Sequence, residues 1–461
     1  MREIGIHECP HTEITFGQNS RLCLELYMED ELYRICSPAP VACLELLYPN
    51  RRSVAMNSLV YFCSLLKASV AFAFVVAVLL ASTGAEARAV LGRRELLEGG
   101  LKCEAPLVIF GASMIDVGEN ANAQPLTVQS EFEPYGVDYF GKPVARFSNG
   151  RVIADFLSQK LGYGLLDPYL NSVNPRFTYG VDFASSGSTA VSGSQTGSAA
   201  RGSGLFPLDM QVKQYKLFKS KIMDVEAQNK DLKLLKLPSI MKLTHGIHVM
   251  MPAHNDYSNV LVSSANVDAP ALVSAVVSAI ELALRGIHGE GARTMILMNV
   301  LPLGCAPSFL GFALTNPTLQ KDKDSCIASY NAVVDLHNAE LKKMVESLRT
   351  ELSWNGLVLF DLNAIYMDAV RNPSKYAVTK PLAACCGAGG NEYNINLAIP
   401  CGKSGTVNGT TVTAGRCSDP SQYISWDGLH PTESFAEHIA SAMLKGEFTY
   451  PSFSLKEACK P

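Results

Sequence analysis

Near its C-terminal end the chain reads Trp426-Asp427-Gly428-Leu429-His430-Pro431-Thr432-Glu433. With Gly428 between the two groups and Pro431 behind them, this block favours a loop in which the Asp427 carboxylate reaches back to the His430 Nδ1–H. That is how an acid orients a general base. The block also suits a helix start in which Thr432 caps Phe435, and both readings can hold together. A base of this kind needs a nucleophile. Gly111-Ala112-Ser113-Met114-Ile115-Asp116-Val117-Gly118 places Ser113 in a tight turn behind the apolar run Leu107–Phe110, where a hydroxyl is exposed to a substrate. Taken alone, a Ser in a Gly-flanked turn is usually a cap or turn residue. Two further blocks offer donors to a developing oxyanion. Gly180-Val181-Asp182-Phe183-Ala184-Ser185-Ser186-Gly187 brings the backbone N–H of Gly187, and Ala253-His254-Asn255-Asp256 brings the side-chain amide of Asn255.

Those groups need rigid elements behind them. Leu107–Phe110, Ile247–Met251, Thr294–Val300 and Leu357–Phe360 are short apolar runs of the kind buried in a parallel sheet. Between them lie helical periods. Ala271–Ile287 carries Val273, Val276, Val277, Ile280 and Leu284 on one stripe, and Ile327–Leu352 carries Val333, Leu336, Leu341, Met344 and Leu348 on another. Strand then helix, repeated, predicts an α/β domain whose central parallel sheet is covered on both faces, with ligands bound outside the strand carboxyl ends. The Gly/Ser-rich stretch Ser185–Gly204 reads as a surface loop near the site. His245, His248 and His254 lie close together, but no Cys or carboxylate completes a ligand set with them, so no metal is expected. On a strand, His254 would point away from Asn255 as a packing residue.

In order and spacing these blocks resemble the GDSL esterase/lipase family, or SGNH hydrolases, in its plant secreted branch, over about Leu107 to Leu444. Further resemblances are Pro134-Tyr135-Gly136, Gly141-Lys142-Pro143 through Arg146-Phe147-Ser148-Asn149-Gly150-Arg151, Leu303-Gly304-Cys305-Ala306-Pro307 and Cys385-Cys386-Gly387. The last block and the Cys-Cys-Gly segment look most like the early-nodulin and α-fucosidase-like subgroup. The resemblance implies a three-layer α/β/α, flavodoxin-like fold. It also implies Ser113 as nucleophile, His430 as base, Asp427 as its partner, Gly187 and Asn255 as the oxyanion hole, and neither metal nor organic cofactor. Three departures touch the groups around the site: Ala112 and Ala253 stand where the family has Asp and Gly, and Asp182 and Ser186 alter the Asn-Phe-Ala-Ser-Gly-Gly block. The expected activity is hydrolysis of a small-molecule or cell-wall ester through an acyl-enzyme. An acyltransferase using the same intermediate, and a catalytically weak binding relative, are the alternatives.

The run Val70–Ala81, preceded by Lys67 and followed by Ala85-Glu86-Ala87-Arg88-Ala89, has the core and cleavage chemistry of a secretory signal peptide. Its length covers roughly 18 Å as a helix, well short of the ~30 Å hydrocarbon core, so a stable span after cleavage is not expected. A signal anchor that includes Leu59–Leu66 would carry Lys67 inside it. Three segments follow: 1–55, an extension without clean helix or strand period, expected to be disordered or absent from the mature protein; 56–89, the signal peptide; and 90–461, one hydrolase domain. Of 13 Cys, the eight from Cys103 to Cys459 fall in that domain. An even number in an exported chain suggests disulfides of unspecified connectivity, with buried free thiols as the other reading. Asn408-Gly409-Thr410 is a sequon. These features point to the extracellular space, apoplast or cell wall. With 39 Lys+Arg against 43 Asp+Glu there is no basic footprint for nucleic acid, and 48% hydrophobic residues argue for a packed core. The oligomeric state has no signature in the sequence.

Overall fold

The computed structural model describes residues 22–28, 31–37, 103–125, 129–192, 206–263 and 267–459. The segment 56–89, expected to be a signal peptide, lies outside them. The chain divides into two units, Met1–Ala89 and Val90–Pro461. In the first, β1 (Leu22–Met28) pairs antiparallel with β2 (Glu31–Ser37), in a register that sets Leu24 opposite Ile35 and Leu26 opposite Tyr33. These two strands fall in the 1–55 segment, whose sequence shows no clean strand period. Apolar residues occupy both parities of each stretch, so neither shows the alternation by which strands are read.

In the second unit the strands are β3 (Leu107–Gly111), β4 (Gly180–Asp182), β5 (Ile247–Met251), β6 (Thr294–Met298), β7 (Leu357–Phe360), β8 (Lys380–Ala384), β9 (Ser404–Val407), β10 (Thr410–Thr413), β11 (Tyr423–Ser425) and β12 (Thr449–Tyr450). The central sheet has the order β12-β7-β6-β5-β3-β4. All its pairings are parallel except β12 with β7. Helices flank the sheet, as the alternation of apolar runs and helical periods predicted. Every residue of β3, β5 and β7 is buried, which is why these runs are apolar without alternation.

Helix Ala269–Gly289 packs on Leu208–Ala227 and on Ala328–Glu351, while Ile153–Lys160 packs on Glu433–Lys445. Among the described residues, Ala269–Gly289 is the one helix long and apolar enough to cross a membrane, but Val273, Val276, Ile280 and Leu284 are buried in the core. Four disulfides take up all eight cysteines of this unit: Cys103–Cys459, Cys305–Cys326, Cys385–Cys417 and Cys386–Cys401. Asn408 (φ 48) and Gly409 (φ 79) form the exposed turn between β9 and β10, where left-handed conformations suit a tight hairpin.

Candidate active site

Ser113 follows the end of β3, where Gly111 adopts φ +140 and a Cβ would sit 2.5 Å from Met251 O. Only glycine lets β3 lie this close to β5 while the chain turns away from the sheet. The turn that follows is closed by Ile115 N and Asp116 N, both donating to Ala112 O at 3.1 Å. Ala112 is 5% exposed, so the position that departs from the family is filled by a packed methyl.

At the other end of the domain, β11 delivers the Asp427–His430 loop. Asp427 Oδ1 accepts from Leu429 N (3.0 Å) and His430 N (2.9 Å), and Oδ2 accepts from His430 Nδ1 (2.7 Å). His430 Nε2 lies 2.8 Å from Ser113 Oγ. The ring of His430 also lies against Phe147, with centroids 4.6 Å apart. Burial opposes ionisation of Asp427, but the facing imidazole and the donors from residues 429 and 430 outweigh it and hold the carboxyl below its usual range. Thr432 caps the following helix through Phe435 N at 3.3 Å. Serine, imidazole and carboxylate thus form one hydrogen-bonded line, able to move a proton off a hydroxyl at Nε2 while the acid fixes the ring.

The sequence did not signal one partner of that line. Tyr135 OH donates to Asp427 Oδ2 at 2.8 Å. The two residues are 292 positions apart, and no spacing rule joins them.

Gly187, at φ +79, turns beside the nucleophile loop, and among the described residues its N–H meets no protein acceptor. Asn255 Nδ2 donates one hydrogen to Ser188 O at 2.8 Å, which ties the two donor segments together. Asn255 lies in helix His254–Ser263, not on a strand. The expectation for His254 therefore needs correction. Ala253, at φ +76, breaks the chain away from β5, so the alternation of a strand no longer applies. His254 is indeed buried, held between Pro252 O (3.1 Å) and Leu301 N (3.2 Å), and burial pushes its imidazole down to about 4. Its Nδ1–H donates to the carbonyl and its Nε2 accepts from the amide, as a neutral ring must.

Ser185–Ser192 corrects a second expectation. The described part of the supposed surface loop is largely buried, with Ser185 at 0% and Ser186 at 3% exposure. Ser186 accounts for its own departure from the family. Its Oγ and O both accept from Asn120 Nδ2, at 2.8 and 2.9 Å, and its N–H donates to Asp116 Oδ2 at 2.7 Å. Asp182 likewise accepts from Val117 N and Ala184 N, both at 2.7 Å. An Asn in the same pose would turn its NH₂ towards one of those donors. Asp116, Asp182 and Glu119 make a buried acidic group behind the nucleophile turn. Desolvation raises all three, Asp116 to about 6 and Glu119 to about 8, against the backbone donors that each receives.

His430 and Asp427 border a cavity of about 760 Å³, lined further by Phe309, Phe312, Ile395, Leu397, Ile399 and Val262. That size suits an organic ligand, and the wall is predominantly apolar. Among the described residues no group of three or more His, Cys, Asp or Glu is arranged to hold a metal. His248 is instead bonded to Tyr215 OH at 3.0 Å, and His245 to Met241 O at 2.9 Å.

Comparison with known proteins shows the family. A GDSL esterase/lipase of Arabidopsis thaliana is 34% identical over 367 residues, which is 79% of this chain and 94% of that protein. The GDSL esterase/lipase ENOD8 of Medicago truncatula is 34% identical, over 77% of this chain and 90% of its own. An esterase of Hevea brasiliensis is 32% identical over the same shares. Such even identities favour no single subgroup, so the early-nodulin-like assignment gives way to the family as a whole. The model of the GDSL-like lipase/acylhydrolases matches residues 107–443, spanning β3 through the helix behind His430, and the chain belongs to that family.

Proposed function

We propose that the protein is an extracellular serine esterase that cleaves carboxylic esters through Ser113, His430 and Asp427. The observation that carries this reading is the unbroken line from Ser113 Oγ through both ring nitrogens of His430 to Asp427 Oδ2. Ser113 Oγ attacks the acyl carbon as its proton passes to His430 Nε2, and the carbonyl electrons move onto oxygen. Gly187 N–H and the Asn255 amide are the donors for that oxyanion. Collapse breaks the bond to the alkoxy group, which takes the proton from Nε2 and leaves as the alcohol. Water then attacks the acyl-enzyme by the same route, releasing the acid and restoring Ser113.

The apolar cavity beside His430 suits an ester with an apolar chain. Four disulfides support folding in an oxidising compartment, in keeping with the signal-like segment before Val90. N-terminal sequencing of the secreted protein should read a start between Glu86 and Val90, and a mature chain beginning at Met1 would end the export reading.

The test of the activity is hydrolysis of p-nitrophenyl acyl esters by the purified protein. Ser113→Ala and His430→Ala should each fall to near background, because neither half of the pair works alone. Turnover that survives Ser113→Ala would refute the assignment.

A further inference from the structure

Tyr135 is 1% exposed, and its ring is held by two others. Trp426 meets it edge to face with centroids 6.0 Å apart, and Phe147 does so at 5.8 Å. Around them Cys385, Cys386 and Cys401 complete a small core separate from the main one. A phenol so enclosed must direct its hydroxyl at a polar partner. Here that partner is Asp427 Oδ2, the same oxygen that accepts the imidazole N–H of His430.

The four hydrogen bonds to the carboxylate divide unequally. Leu429 N, His430 N and His430 Nδ1 all belong to the residues just after Asp427 and move with that loop. Tyr135 belongs to another part of the chain, anchored where Tyr135 N donates to Phe132 O (3.2 Å) and Gly136 N to Ser148 O (2.8 Å). Among the described residues, it is the phenol that ties the carboxylate to something outside its own loop.

We propose that Tyr135 is a positioning residue for the Asp427–His430 pair, fixing through its hydroxyl the orientation of the carboxylate that aligns the imidazole with Ser113. This rests on the esterase reading above. Tyr135 acts through Asp427 and transfers no proton to or from the substrate. The carboxylate matters most when His430 becomes an imidazolium in the transition state, so the loss should appear in kcat and not in KM.

Tyr135→Phe removes the oxygen and keeps the ring. The expected result is a kcat lower by about tenfold, or 1.36 kcal/mol, with KM within about twofold of wild type. Because the hydroxyl acts through Asp427, adding Tyr135→Phe to Asp427→Asn should slow the enzyme no further. Trp426→Phe disturbs the same ring cluster without touching the hydroxyl. It should lower the urea midpoint and reduce kcat less than Tyr135→Phe does.

Three results would overturn the proposal: wild-type kcat in Tyr135→Phe while Ser113→Ala is inert; losses that multiply in the double variant; or an equal kcat loss in Trp426→Phe, which would assign the effect to packing. Wild-type protein inert towards every ester would instead remove the esterase reading, and this proposal with it.

Discussion

Gly428 sits between the two residues of the acid–base pair at φ +101, and its conformation sets their separation. A Cβ there would lie 2.7 Å from Ile395 Cδ1, 3.2 Å from Ser308 N and closer still to Ser308 Oγ. Gly428 is also fixed by hydrogen bonds, from its own N–H to Ser425 Oγ at 3.0 Å and from Ser308 N to its carbonyl at 3.1 Å. Gly428→Ala therefore meets two costs. Holding an L-residue in left-handed backbone costs about 1–2 kcal/mol, and forcing a methyl into a filled site costs about 1–3 kcal/mol. Together they give a loss of about 2–5 kcal/mol, read as the shift in urea midpoint at constant m-value. If the strain is relieved by moving the loop, Asp427 and His430 shift relative to Ser113, and a displacement near 1 Å costs about 100-fold in kcat/KM. Adding Ser308→Ala removes the Oγ contact and should recover part of the stability, leaving the backbone cost. A Gly428→Ala protein within about 0.5 kcal/mol and twofold of wild type would show that the backbone at this position does not set the pair's geometry.

At position 253 the opposing effects nearly cancel. Ala253→Gly relieves about 1–2 kcal/mol of left-handed strain, but gives up a buried methyl worth about 0.8 kcal/mol and about 0.4–1 kcal/mol of chain entropy. Urea unfolding should place the variant within about 1 kcal/mol of wild type, and a larger change in either direction would refute that balance. Glu119 is pushed from 4.5 up to about 8, first by burial and then by Asp116, while the donors at Leu170 N and Gln214 Nε2 oppose the shift. The folded state then binds this proton more tightly than the unfolded chain. Its contribution is fully present below about pH 4.5 and is lost as pH rises towards 8. Glu119→Gln should gain stability relative to wild type across that window, and parallel pH profiles would refute the shift. Replacing Cys386 and Cys401 by Ser opens a loop with a sequence separation of 15 and should cost about 3 kcal/mol. Since Ile395, Leu397 and Ile399 in that loop line the cavity, hydrolysis of long-chain esters should fall more than that of acetates. Equal losses on both would detach the loop from substrate selection.

The sheet was readable where a buried strand coincides with an unbroken apolar run. β5 and β7 coincide with their apolar runs, while β6 stops at Met298, short of the Val300 that its run suggested. β4 has three residues and is recognised only by pairing with β3, so its local sequence carries no period to read. The Asp427–His430 spacing was legible because a Gly-Pro loop leaves a local signature, whereas the turn at Ser113, weak by itself, stood out only through the family resemblance. The partners of Tyr135 and Asp182 were not legible, since each contributes through a hydrogen bond to a distant segment. His254 was misplaced because the strand's alternation was carried past Pro252, which cannot donate to a sheet ladder, and because an alanine at φ +76 is uncommon.

The central claim is that Ser113 is a nucleophile activated by His430, and covalent labelling tests it most directly. Incubation with a fluorophosphonate probe, followed by peptide mass spectrometry, should place one adduct on Ser113 in wild type, none in Ser113→Ala and a greatly slowed adduct in His430→Ala. An unlabelled Ser113 in folded protein, or equal labelling with and without His430, would contradict the claim.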